Sequence, residues 1–167
     1  MTVYRGCSLF LNDFQLSDSV DYTPPEIGIN TGWFKAGAMS TPTPVDRGIK
    51  QMTARYKIAG MDPTAFFFLG LVPGVRARLT VHRLFRLRER LVLLHDEIEG
   101  FIESIRSDGH SDNRVEVGQE MSIAARYYRV SVDGVLPLLE IIPEMGIRRQ
   151  FGVDPHQLAS RMTELLQ

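Results

Sequence analysis

Histidines are the first side chains to examine for chemistry, because they serve as acid–base catalysts and as metal ligands. The sequence has four, at His82, His95, His110 and His156, and they lie too far apart to form a ligand-like spacing. It contains no phosphate loop, dinucleotide fingerprint, nucleophile elbow or HExxH motif. Its single cysteine, Cys7, excludes an intramolecular disulfide and a cysteine-rich zinc site. The sequence therefore predicts a protein that is not an enzyme and has no catalytic residue, metal or cofactor.

Charged side chains form two adjacent blocks of opposite sign. The acidic block could supply paired catalytic carboxylates, but no nucleophile or glycine loop accompanies it, so a solvated face is the favoured interpretation. The basic block could contact a polyanion, and a DNA-binding regulator is one alternative. Adjacent blocks of opposite charge favour contacts between subunits instead, and the formal net charge of -1 argues against a dedicated nucleic-acid binder. The blocks are Asp96, Glu97, Glu99 and Glu103, and Arg76, Arg78, Arg83, Arg86, Arg88 and Arg90.

Length and composition predict one soluble domain over residues 1–167. A chain of 167 residues with 44% hydrophobic residues can bury one sizeable core. No apolar run approaches the length of a membrane span, and the N-terminus lacks a signal-peptide layout. We therefore expect a protein that is made in a cytoplasm and has no membrane anchor.

Turn signals divide much of the chain into strands. Asn12-Asp13 tolerates a positive φ, and Asp133-Gly134 is a strong hairpin signal between two β-rich runs. Apolar and polar residues alternate over 49–58 and 115–132, as in half-buried strands, and 137–142 is the expected return strand after the Asp-Gly turn.

Two Asp-Pro pairs predict helix starts, because Asp caps a helix and Pro suits its first turn. Asp62-Pro63 predicts one short helix, and Asp154-Pro155 predicts a C-terminal helical segment at about 154–166. The stretch from Lys35 to Gly48 is small, nearly uncharged and rich in breakers. It predicts an extended arm or hairpin loop at about 33–48.

The segment Val81 to Ile105 supports two interpretations. Apolar residues at spacings of three and four, from Leu84 to Ile105, predict an amphipathic helix of about seven turns. The same segment alternates over its first half, with arginines on one parity and apolar residues on the other, which is typical of two strands. Periodicity alone favours the helix.

Four stretches, in order, resemble the major tail tube proteins of contractile-tailed phages and R-type pyocins. Each motif is modest, but together they span almost the whole chain. They are LFLND at 9–13, FKAGAM at 34–39 with VDRG at 45–48, YYRVSVDG at 127–134, and LEII at 139–142 followed by GVD at 152–154.

The resemblance implies a mainly β fold, a β-sandwich or partial barrel with one short helix and a C-terminal helix. Hexameric rings would close a large inner β-barrel and stack into a hollow tube. The resemblance also favours strands at Ala77 to Phe85 and Leu91 to Ile105, with Arg86 to Arg90 near their turn. This contradicts the helix that the periodicity predicts.

The expected function is a structural subunit of the inner tail tube of a phage or tailocin, a conduit for genome delivery in the virion that is assembled in the host bacterial cytoplasm. The expected partners are further copies, a sheath outside, a tape-measure protein and transient DNA inside, and a tail terminator and baseplate or spike hub at the ends. A type VI secretion-like tube that carries effectors is the alternative.

DNA transit favours a neutral or acidic lumen, for which Glu97, Glu99 and Glu103 are candidates. The expected inter-subunit contacts are Phe34, Lys35, Ala36, Gly37, Ala38, Met39, Pro42, Pro44, Arg86, Arg88 and Arg90.

Overall fold

A computed structural model describes residues 2–16, 20–109 and 117–152, which form a mainly β fold. The predicted fold class is confirmed. The strands are β1 (Thr2–Leu11), β2 (Phe14–Gln15), β3 (Val20–Thr23), β4 (Ile29–Phe34), β5 (Thr43–Ile49), β6 (Thr53–Ala59), β7 (Ala77–Leu87), β8 (Arg90–Ser107), β9 (Gly118–Val132), β10 (Leu136–Ile142) and β11 (Ile147–Gln150). Two 3-10 helices, η1 (Pro63–Phe68) and η2 (Pro143–Met145), complete the described elements.

One curved antiparallel sheet holds most of these strands, in the order β11-β10-β9-β8-β7-β1-β2. Strand β9 changes partner along its length, because its first half pairs with β6 and its second half with β10. Strand β3 pairs with the far side of β6 and lies against β1, so that β1, β7, β8, β9, β6 and β3 surround one core as a partial barrel. Strands β4 and β5 form a separate hairpin.

The core consists of alternate residues on the strands that surround it, as the two-residue period of a strand requires. Strand β7 buries Ala77, Leu79 and Val81, while the residues between them are more exposed. The fully buried large side chains include Leu9, Leu11, Met52, Tyr56, Leu79, Ile98, Ile102, Met121, Ile123 and Ile141.

The segment 81–105 forms two strands and not a helix. Strands β7 and β8 pair from Ala77↔Gly100 to Leu87↔Arg90, with Arg88 and Glu89 at the turn. The helix predicted from periodicity is wrong, and the strands implied by the family resemblance are confirmed. The apolar residues at helical spacing are divided between the two faces of this ribbon, and pairing with β1 and β9 satisfies the backbone of both strands.

The predicted turns and the predicted short helix are confirmed. Asn12 (φ 47°) and Asp13 (φ 68°) adopt positive φ, as do Asp133 (φ 50°) and Gly134 (φ 71°). Asp62 caps η1, where its Oδ1 accepts a hydrogen bond of 2.9 Å from the Thr64 backbone N–H. The predicted C-terminal helix at 154–166 lies outside the described residues.

Gly100 allows β8 and β9 to approach each other closely. A single added methyl group at this position is therefore expected to destabilise the fold. A Cβ at this position would lie 1.9 Å from the Ala124 carbonyl oxygen, a backbone atom that cannot move aside. We expect Gly100→Ala to destabilise the protein by about 3 kcal/mol in urea unfolding, because the core is overpacked. Gly6→Ala in β1 is the matched control, since a Cβ there meets nothing within 4 Å. Equal unfolding free energies for the two variants would contradict this prediction.

Candidate functional site

The outer face of the main sheet, on the side of β7 to β11 away from the core, is bare and, outside residues 84–94, largely polar. We call it the bare face. Its carboxylates lie beside basic side chains: Glu99 is 3.8 Å from Arg78, and Glu140 is 3.1 Å from Arg149. Glu97 lies opposite Arg129 in the β8–β9 register. Each of these acidic groups has a basic neighbour, so the bare face is close to neutral.

The strand geometry separates the acidic block that the sequence places together. Glu97 and Glu99 lie on the bare face, whereas Asp96 is fully buried on the opposite face of β8. Glu103 is exposed at an irregularity in the β8–β9 register between Ile102 and Ser104. The three glutamates therefore do not form one acidic patch.

Asp96 belongs to a buried ion pair at the edge of the core. Its side chain is 0% exposed and lies 2.7 Å from Arg83 Nη2, whose own side chain is 16% exposed. The Tyr22 hydroxyl donates a hydrogen bond of 3.1 Å to Asp96 Oδ2. Burial, and then the charge of Asp96, raises the pKa of Tyr22 far above its usual value, so the hydroxyl keeps the proton that it donates. Burial lowers the pKa of Arg83, but the hydrogen bond and charge of Asp96 outweigh this effect and raise it.

Beyond this ion pair, the core-side face of the β7–β8 ribbon continues as an uncovered apolar surface. Phe85, Leu87, Val92 and Leu94 line a shallow groove there. Tyr4 of β1 lies at its side, with its ring 5.7 Å from that of Phe85 in an edge-on contact. These four side chains lie on the face of β7 and β8 that is buried in the core elsewhere along the strands, but here no described residue covers them.

The end of the ribbon, residues 84–94, is apolar on its other face as well. We call these residues the ribbon tip. Leu84 lies opposite Leu93 on that face, and Leu91 is exposed beside them. A ribbon that is apolar on both faces is typical of a strand pair that is covered on both sides, and the ribbon tip is therefore a candidate assembly surface.

The predicted contact arginines surround this surface. Arg86, Arg88 and Arg90 are exposed, and Arg86 Nε donates a hydrogen bond of 3.2 Å to the Arg88 carbonyl at the turn. Among the described residues the arginine run is not a continuous basic patch, because Arg83 points to the core side and is paired with Asp96.

The β4–β5 hairpin is the second exposed apolar element. It contains the other predicted contact residues: Phe34 ends β4, Pro44 lies in β5, and 35–42 connect the strands. Trp33 is 67% exposed and Phe34 58%. Met39 Sδ accepts a hydrogen bond of 3.4 Å from the Ala36 N–H within the connecting turn. A two-stranded hairpin by itself is at best marginally stable, so this element requires further packing.

One copy does not bring these two predicted contact sets together. An ion pair of 2.6 Å between Asp46 and Arg148 anchors the hairpin at β11, one end of the main sheet. The ribbon tip belongs to β7 and β8, which lie towards the other end. Four strand spacings, about 19 Å, separate β11 from β7.

The groove residues were missed by sequence reasoning, as was Trp33. The sequence did contain a signal for the groove. Residues 84–94 include apolar residues at both odd and even positions, whereas a half-buried strand would be apolar at only one of the two. The pairing of Arg83 with Asp96 had no sequence signal, since it depends on the β7–β8 register.

The described part of the chain holds neither a metal-type cluster nor a membrane-spanning helix. In residues 2–16, 20–109 and 117–152, no group of three or more histidine, cysteine or acidic side chains could hold a metal ion. Within the same ranges, no helix has both the length and the apolar character that a membrane span needs.

Comparison with known proteins gives a family assignment. The family model described as phage tail tube protein FII matches residues 3–161, almost the whole chain. The chain belongs to the phage tail tube protein FII family. Membership of this tail tube family makes the protein a structural component of a tail particle. A search of the curated proteins found no match.

A solved structure supports the tail tube fold. The chain is similar to a chain of the PVC sheath–tube complex, an extracellular contractile injection system in its extended state. The two are 13% identical, with a TM-score of 0.58, over 77% of this chain and 88% of that one. At this identity the likeness concerns the fold.

The Arg83–Asp96 pair predicts a large asymmetry between single and double substitutions. Asp96→Ala leaves a guanidinium buried without its partner, and we expect a loss of about 3 to 5 kcal/mol of unfolding free energy in urea. Arg83→Met with Asp96→Leu removes both charges and should recover most of that loss. Asp46→Ala, which breaks the more exposed pair with Arg148, is the control and should cost less than about 1 kcal/mol. A double variant as unstable as Asp96→Ala would contradict the interpretation.

Proposed function

We propose that this tail tube family member is the repeating subunit of the inner tube of a contractile tail, with copies closed into hexameric rings that stack around a hollow bore. The single observation that carries the proposal is that each copy leaves a complementary set of surfaces uncovered. These surfaces are the ribbon tip, the β4–β5 hairpin and the edges of the main sheet. The protein acts by assembly and does no covalent chemistry.

The edges of the main sheet supply the sites of ring closure. Among the described residues, β2 pairs with β1 only at Phe10 and Leu11, and β3 lies against β1 without pairing with it, so most of the outer edge of β1 has no hydrogen-bonded strand. Strand β11, at the other end of the sheet, pairs only with β10 within the same ranges. Open edges favour pairing with another chain, and a closed barrel removes them. Joining the two ends of successive copies gives one continuous sheet.

The bulk of each subunit determines which face lines the bore. Strands β3 and β6 and the core that they cover all lie on one side of the main sheet. In a closed ring that volume fits on the outside, where the circumference is larger, so the bare face turns inward. The bore is then lined by balanced pairs such as Arg78 with Glu99, which present no net attraction to a polyanion.

The hairpin and the ribbon tip supply contacts between copies. Because the hairpin and the ribbon tip lie at opposite sides of one sheet, the hairpin of one copy would cover the ribbon tip of a neighbour in such a ring. Such a head-to-tail contact repeats indefinitely and generates rings and stacked arrays. We assign the predicted contact residues to this interface, which are Phe34, Lys35, Ala36, Gly37, Ala38, Met39, Pro42, Pro44, Arg86, Arg88 and Arg90.

Partners follow from the tube architecture. A sheath would surround the tube, a tape-measure protein and then DNA would occupy the bore, and a terminator and a baseplate or spike hub would close the ends. The tube would be assembled in the bacterial cytoplasm and would function in the virion or tailocin. The secretion-type alternative is not favoured, because the family match is to phage tail tube proteins.

Hairpin variants test the assembly. The wild-type protein should form hollow rods in negative-stain micrographs. Trp33→Ala with Phe34→Ala should raise the protein concentration needed for rods by at least about tenfold, since aromatic anchors dominate interface energies. The unfolding free energy of the monomer should change by less than about 1 kcal/mol, because both side chains are exposed. Phe67→Ala, which truncates an exposed aromatic side chain of η1, is the control. If the hairpin variant forms rods at the protein concentration that the wild type needs, the proposed hairpin contact is excluded.

Charge reversal tests the bore assignment. Glu97→Lys with Glu99→Lys makes the bare face basic, and we expect slower DNA ejection from otherwise intact particles, because each new phosphate contact retards passage. Glu26→Lys with Glu144→Lys gives the same change in net charge at two exposed positions outside the strands of the main sheet, and it should leave ejection unaffected. The measurement is the ejection rate, followed by a DNA-binding dye, with rod formation confirmed by microscopy. An unchanged rate in intact particles would refute the assignment of the bare face to the bore.

A further inference from the structure

Two histidines lie side by side on the bare face. His82 of β7 is directly opposite His95 of β8, and their ring centroids are 4.5 Å apart. Phe10 of β1 packs on the other side of His82, with the ring centroids 5.4 Å apart. Burial, and then the neighbouring His95, lowers the pKa of His82. Two imidazoles at this distance oppose each other's protonation, so the second proton binds less readily than the first.

The charged groups around this pair are already matched without it. Glu97 Oε1 is 3.3 Å from His95 Nε2, but Glu97 also lies opposite Arg129 of β9. The next carboxylate, Glu99, is paired with Arg78 of β7. The other neighbours in register are neutral serines, Ser8 of β1 and Ser131 of β9. With both imidazoles neutral this part of the face carries no net charge, because Glu97 lies opposite Arg129 and Glu99 is paired with Arg78. Each proton that binds therefore adds one positive charge to the face, even though Glu97 is the ion-pair partner of a protonated His95.

We propose that the His82–His95 pair is an acid-operated charge switch of the tube bore, through which a falling pH makes the bore hold a polyanion that it releases at neutral pH. The proposal rests on the proposed function, in which the bare face lines the bore. Repetition of the pair in every copy converts a small change at one site into a band of positive charge around the bore. A phosphate backbone is the ligand that such a band would hold.

The direction of the pH effect follows from the chemistry of imidazole. An ordinary histidine takes up its proton near pH 6.5. Because the pKa of His82 is lowered, its proton is bound more readily in the unfolded chain than in the native fold. Both the added bore charge and some loss of native stability should therefore develop below about pH 6.5, and neither should appear above it.

The test uses assembled wild-type rods and a fluorescein-labelled oligothymidylate of about 20 nucleotides as the probe. Its dissociation constant is measured by anisotropy at about pH 7.5 and about pH 5.5, at a constant salt concentration near 0.1 M. For wild-type rods we expect at least about tenfold tighter binding at the acidic pH. Rods of His82→Gln with His95→Gln should show less than about a twofold change.

A matched control removes the same number of histidines elsewhere. His110→Gln with His156→Gln should keep the full wild-type increase in binding. If the increase survives in the His82/His95 variant, or disappears in the control, the proposal is wrong. If the His82/His95 variant does not assemble, His82→Asn with His95→Asn replaces it and should likewise show less than about a twofold change. An undiminished increase in that variant would again overturn the switch.

Microscopy of the same samples separates this proposal from the proposed function. If the wild-type protein forms no hollow rods at either pH, the tube assignment fails. If rods form and bind the probe equally at both pH values, the tube assignment stands and the charge switch fails.

Discussion

The alternation of side chains along the long β7–β8 ribbon is the constraint on which the rest of the structure depends. Strand β8 extends from Arg90 to Ser107 and is paired along its length with β7, β9 or both. Successive residues point to opposite faces, so this strand supplies Ile98 and Ile102 to the core and Glu97 and Glu99 to the bare face. A shift of one residue in its register would exchange the two sets and place carboxylates in the core. The register of this ribbon therefore determines both the stability of the subunit and the character of its exposed face.

The buried Arg83–Asp96 pair divides the ribbon into two parts with different roles. On one side of it, Val81 and Ile98 are fully buried in the copy's own core. On the other side, Phe85 and Val92 continue the same apolar face without cover. An ion pair contributes little net stability in such a place, but it strongly disfavours any register that separates its partners. We interpret it as a boundary between a surface completed by folding and a surface completed by assembly.

The uncovered surfaces explain how a mainly β subunit supports a tube. Long open edges and apolar strand tips are usually liabilities, because they pair with other chains. Here they lie at opposite sides of one sheet, an arrangement that would give a repeating array in the proposed tube. The bare face has a complementary character: its charges are matched locally, as in the pair of Arg149 with Glu140. In the proposed tube the open edges would pair between copies, and the locally matched charges would leave the bore close to neutral.

The sequence by itself determined the class of fold, several turns and the absence of recognised catalytic motifs. Asn12-Asp13 and Asp133-Gly134 favour a positive φ, and Asp62 supplies the cap of the helix that Pro63 begins. These local preferences act wherever the segment lies in the fold. Motif order along the chain identified the family, and the family model that matches residues 3–161 confirms it. Turns and helix caps can be predicted from a sequence because they depend on neighbouring residues and need no distant partner.

Only the tertiary structure decided the segment 81–105, where periodicity predicted a helix and pairing with β1 and β9 imposed strands. It also decided that the acidic block is split, with Asp96 facing Arg83 and Glu97 facing Arg129, because strand register joins residues from separate parts of the chain. The same register brings His82 opposite His95. These relationships depend on contacts between residues distant in sequence, and no local pattern of residues specifies them.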